Sequence, residues 1–136
     1  MPDIKAPCKR PCASCPYRQN APSGVWHEEE YAKLPGYDLP TAYQPPRVFM
    51  CHQQDGHLCA GWVAVHNMEA NLGILLALSR ERIDLDEFIK VLEYETDVPL
   101  HESGRAAADH GMKDILGPGQ VARRVMQKLI QKGLVK

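Results

Sequence analysis

Nine of the eleven prolines in this 136-residue chain fall within its first 46 residues, among them Pro35, Pro40, Pro45 and Pro46. Proline has no amide proton and fixes φ, so this stretch predicts ordered loops rather than a long helix or a central strand. Such loops bury few apolar contacts of their own and need a staple. A short helix fits between Trp26 and Leu34, ending before Pro35.

From residue 61 onward the pattern becomes helical. Val65, Met68, Leu72, Leu75 and Leu76 recur at helical spacing and predict one buried face. Asp84 with Glu87 reads as a capping pair, followed by Leu85, Phe88, Ile89 and Leu92 as an apolar stripe. Further helices are predicted over Ser103–His110, stopped by Gly111, and over Gln120–Lys132, after the break Gly117-Pro118-Gly119. The expected fold class is mainly α, in a single domain over 1–136. An irregular cysteine- and proline-rich N-terminal part (1–60) would be clamped by a metal centre onto three or four helices of a helical part (61–136).

The staple is the cysteine set. Cys8, Cys12 and Cys15 lie in PCKRPCASCPYR, and Cys51 and Cys59 in VFMCHQQDGHLCAGW. No apolar run is long enough to cross a bilayer and the first residues lack the apolar core of a secretion signal, so a cytoplasmic location is expected. There, five cysteines argue for metal or redox chemistry rather than a disulfide framework. Two residues between Cys12 and Cys15 let both sulfurs reach one ion, and seven between Cys51 and Cys59 let a loop bend back to close the site. The expected ligands are therefore Cys12, Cys15, Cys51 and Cys59, with Cys8, His52 and His57 as alternatives. Four thiolates suit either tetrahedral zinc or a four-iron cluster. Cys15 is followed by Pro16, as in ferredoxin-type loops, and Phe49 and Trp62 flank the second pair as bulky shields. An iron–sulfur (4Fe-4S) cluster is favoured, with zinc as the alternative. Arg18, just beyond Cys15-Pro16-Tyr17, is a candidate to offset thiolate charge from the surroundings of the site.

The strings CASCPYR, FMCH and CAGW, with VPLHESGRAAADHG further on, resemble a family of small uncharacterised cysteine-motif proteins of actinobacteria and their phages. The resemblance runs from Cys12 to Gly111. It implies the same four-cysteine choice and carries no assigned activity.

The formal charge of −1 gives no global attraction to nucleic acid. Locally, Arg123, Arg124, Lys128, Lys132 and Lys136 occupy the last twenty residues without an acid among them. Opposite them stand Val121, Val125, Met126, Leu129 and Ile130. A solvated helix face explains this pattern, and a nucleic-acid or protein partner on Arg123, Arg124 and Lys128 is the functional alternative. No phosphate loop, nucleophile elbow or zinc-protease motif is present, so a binding or regulatory protein with a redox-sensing role is expected ahead of an enzyme or electron-transfer component. The Glu28–Glu30 run reads as a solvated helix face.

Overall fold

The computed structural model describes residues 2–113 and 120–132, including all side chains except those of residues 120–124. Six α-helices and no strand are found among the described residues, which makes the fold mainly α. They are α1 (Glu28–Ala32), α2 (Ala60–Val65), α3 (Leu72–Ser79), α4 (Leu85–Glu93), α5 (Gly104–Met112) and α6 (Gln120–Gln131). Short 3₁₀ turns occupy Pro35–Asp38, Thr41–Tyr43 and Met68–Ala70. None of these helices is long and apolar enough to cross a membrane.

Local chemistry explains the helix ends. His27 caps α1 by accepting from the Glu29 amide, and Glu28, Glu29 and Glu30 place negative charge in its first turn, where the helix dipole favours it. The helix ends at Ala32, short of the Trp26–Leu34 span expected, and Pro35 opens the 3₁₀ turn that follows. Asp84 caps α4 as its spacing predicts, its carboxylate accepting the Glu87 amide at 2.9 Å. Ser103 caps α5 through the Ala106 amide.

Three sequence expectations are corrected here. The residues from Val65 to Leu76 do not share one helix face, because His66 and Asn67 are extended and separate α2 from α3. Met68 is buried as expected, but with Gly73, Ile74 and Ala77, while Val65, Leu72, Leu75 and Leu76 are half-buried. In α4, Phe88 and Val91 point inward beside Ile83, which rotates the expected stripe outward: Leu85 is 63% exposed, and Ile89 and Leu92 are exposed with it. Finally, Gly111 does not stop α5. It lies within the helix, where an added Cβ would collide with the Tyr31 ring, so the glycine lets α1 and α5 pack closely.

The core is one cluster drawn from both halves of the chain. Tyr17, Trp26, Tyr31, Leu34, Tyr37 and Phe49 from the proline-rich part are all buried, against Trp62, Ile74, Phe88 and Ala107 from the helical part. This overturns the premise that the N-terminal loops have too few apolar contacts of their own: aromatic residues spaced without periodicity supply them. Hydrogen bonds tie the halves further. Both Asp38 carboxylate oxygens accept amides at the start of α5, from Gly104 at 2.7 Å and Arg105 at 2.8 Å.

One buried polar contact gives the fold a pH dependence. The Tyr17 hydroxyl and His66 Nε2 share a 2.8 Å hydrogen bond, and burial holds the His66 imidazole below its usual range although Asp38 pulls it upward. The unfolded chain therefore binds this proton more readily than the folded one. Its contribution is complete above about pH 6.5, the unperturbed imidazole value, and is lost as pH falls through the lower folded value. His101, also lowered by burial and by His110 beside it, acts in the same direction. Urea midpoints should decline below about pH 6.5, and His66→Gln should flatten part of that decline. A midpoint that rises on acidification through this range contradicts the assignment.

Candidate metal centre

Two backbone devices carry four of the five thiols. In the first, the Cys15 amide donates to the Cys12 carbonyl at 3.0 Å, and the Arg18 amide then donates to the Cys15 carbonyl at 3.0 Å. These successive turns place Cys12 and Cys15 on one side and bury Tyr17 beneath them. In the second, Met50 and Leu58 form an antiparallel bridge, with the Cys51 amide on the His57 carbonyl and the Cys59 amide on the Phe49 carbonyl, both at 2.9 Å. The loop between them reverses at Gly56, whose φ of +80° suits glycine. This closure brings Cys51 back beside Cys59, the residue that caps α2.

The two devices meet at α2. Cys15 Sγ lies 3.7 Å from Cys59 Sγ. The approach depends on Gly61, where a Cβ would stand 2.7 Å from Cys15 Sγ and 2.6 Å from Tyr17 Cβ. Ser14 adds a polar cross-link: it accepts a hydrogen bond from the Gln53 side chain, and its carbonyl accepts Trp26 Nε1–H at 2.8 Å.

Cys8, Cys12, Cys15, Cys51 and Cys59 line one cavity of about 90 Å³, together with Arg10, Gln54, Leu58 and Ala60. The thiols interact in series, Cys51 with Cys12, Cys12 with Cys15, and Cys15 with Cys59. Interaction with the neighbouring Cys15 thiol pushes the Cys12 thiol up to about 11, although Cys51 opposes this, and burial adds to the rise. Cys15 is lowered by Cys12, yet Cys59 and burial outweigh that and push it strongly up. Cys51 is raised by Cys12 and by burial. Crowded thiols in a low-dielectric pocket resist becoming several neighbouring anions unless a cation compensates them. Among the described residues, no three His, Cys, Asp or Glu side chains already stand as a metal's ligand set.

The donors around the sulfurs suit thiolates. The Gln54 amide donates to Cys51 Sγ at 3.4 Å, and the Gln53 amide also stabilises that sulfur. The Tyr17 amide does the same for Cys15. Amides directed at sulfur through tight turns favour the charged form. The second cysteine pair thus has its own amide-lined turn, hidden in the sequence by the wide spacing.

The other candidates are placed elsewhere. His52 Nε2 is hydrogen-bonded to the Glu30 carboxylate, and its ring stacks on Trp26 with centroids 4.4 Å apart. His57 Nδ1 is 2.8 Å from the Ala6 carbonyl oxygen. Neither lines the thiol cavity. Arg18 also lies off it: its backbone bridges to Leu100 and its Nε is buried without a partner. Arg10, which does line the cavity, is the cation the sequence reading passed over; nothing in its local string distinguishes it from a surface arginine. Phe49 and Trp62 are buried, with Phe49 edge-on to Tyr17 and Trp62 edge-on to Tyr37. Lys128 is exposed on α6 while Leu129 is buried, and Ile130 is exposed rather than part of a buried face. The side chains of Arg123 and Arg124, and Lys136, lie outside the described residues.

The architecture is that of a small helical protein with a cysteine-lined cavity between two turn-forming loops. The chain belongs to a family of unknown function, DUF6283, which matches residues 7–128 and so spans both cysteine loops and five complete helices. No curated protein and no solved structure matches it.

Gly61→Ala should test the approach of α2 to Cys15. Overpacking at this contact is expected to destabilise the protein by about 1–3 kcal/mol in urea unfolding and to speed labelling of Cys15 by a thiol reagent. Ala64→Gly, in the same helix, should leave the labelling rate of Cys15 near native. Native stability and labelling in Gly61→Ala would refute the contact.

Proposed function

We propose that this is a metal-binding protein in which Cys12, Cys15, Cys51 and Cys59 hold an iron–sulfur cluster of the four-iron type, in a binding or regulatory role open to redox control. The observation that carries the reading is the convergence of these thiols, from loops more than thirty residues apart, on one cavity. A cluster supplies positive iron to thiols that resist ionising together, and each cysteine binds a different iron. Thiols gathered around one cavity suit such an occupant, although Cys15 and Cys59 must part to admit it. Bulky Phe49 and Trp62 limit water around the loops that bear Cys51 and Cys59.

Zinc is the second reading, and a specific distance favours it. Thiolates about 2.3 Å from a tetrahedral ion stand about 3.8 Å from one another, close to the Cys15–Cys59 separation of 3.7 Å. In this reading the metal is structural, and α6, with Lys128 exposed, offers a basic face to nucleic acid or a protein partner.

Protein purified without oxygen should be brown and contain iron and acid-labile sulfide in equal amounts. Single Ser substitutions at Cys12, Cys15, Cys51 and Cys59 should each abolish metal retention, whereas Cys8→Ser should retain it. Colourless protein with one equivalent of zinc selects the second reading. Full metal content in Cys51→Ser would defeat the four-cysteine assignment.

A further inference from the structure

A second cavity lies beside the thiol site. It measures about 580 Å³, within the range that small-molecule sites occupy, and Cys51 lines both cavities. Its apolar walls come from Tyr37, Val48, Phe49 and Met50. These residues belong to the core or pack against it, so the walls are held in place.

Part of the polar lining is also held in place, while the Arg47 side chain is exposed. Glu30 accepts hydrogen bonds from Lys33, at 2.7 Å, and from His52. The His52 ring is further held between Trp26 and Phe49, with centroids 4.4 and 5.4 Å away. The Tyr37 hydroxyl donates to the Arg47 carbonyl at 3.1 Å and so anchors the segment that bears Arg47. Glu30 is the acid of this lining, and Lys33 already offsets its charge. Arg47 forms no ion pair among the described residues, which leaves a surplus cation beside an apolar chamber.

We infer that this cleft binds a small organic anion with a flat apolar body. The body would lie against Tyr37 and Phe49, and its carboxylate or similar group would meet the Arg47 guanidinium, whose planar fork matches such an anion. The inference goes beyond the metal reading and does not need it, since no thiol takes part in the recognition. Cys51 in the shared wall nevertheless puts any occupant next to the loop that carries two of the thiols.

The probe is 2-naphthoate, compared with the neutral 2-naphthylmethanol, on the full chain as purified. Calorimetry should show the anion binding more tightly. Amide chemical-shift changes should centre on residues 30–33 and 45–52. Arg47→Ala should weaken naphthoate roughly ten-fold and leave the alcohol unchanged, while Arg47→Lys should recover part of the loss. Equal affinity for the two probes, shifts centred elsewhere, an unchanged Arg47→Ala, or no binding at millimolar probe would each overturn the proposal. Metal content measured on the same samples separates this result from the identity of the centre.

Discussion

The contact between the Cys12–Cys15 turn and the start of α2 organises this molecule, because it joins two segments that have no helix or sheet in common. Gly61 makes the contact sterically possible, and Tyr17, packed against Gly61 and hydrogen-bonded to His66, fixes the other end of the same helix. The hydrogen bond at His66 and the crowding at Cys15 are thus two ends of one junction. The hairpin from Phe49 to Cys59 closes over it and delivers Cys51. Shifting α2 would displace Cys59, Tyr17 and the Trp62–Tyr37 packing together.

The polar and apolar parts of the structure support each other in a specific order. Aromatic burial in the proline-rich half positions the loops, and the loops then position the thiols. Metal binding need not create the fold of the first sixty residues. Under the proposed reading its energetic role would fall on the loops around Cys8–Cys15 and Cys51–Cys59, where hydrogen bonds such as Gln53 to Ser14 already cross between the two cysteine segments. Coordination free energy would add to this arrangement and lock it, as it does in structural metal sites generally.

Local signals were legible in the sequence where a single residue type dictates a single geometry. The Asp84 cap and the close pair Cys12–Cys15 belong to this group. Periodicity read less well. Phe88 and Val91 take the interior of α4 and displace Leu85, Ile89 and Leu92, since hydrophobicity alone does not say which of two adjacent apolar stripes faces the core. The bend at His66–Asn67 carries no Gly or Pro, and its signals, the capping residues Asn67 and Asn71, are easily overlooked within an apolar run. The gathering of the cysteines was visible as a count and a spacing. The amides that serve Cys51, the proximity of Arg10 and the arrival of Cys8 at the same cavity were not, because each depends on where distant backbone segments cross. Glu30 is the instructive case: in a run of three acids it reads as solvated surface, yet it grips His52 and Lys33.

In the proposed site, four cysteine sulfurs share one metal centre. X-ray absorption at the metal edge, on protein purified without oxygen, tests it most directly. The expected result is an inner shell made only of sulfur, with a close iron neighbour if the centre is a cluster and none if it is zinc. An inner shell containing nitrogen or oxygen from the protein, or purified protein with no stoichiometric metal, would contradict it.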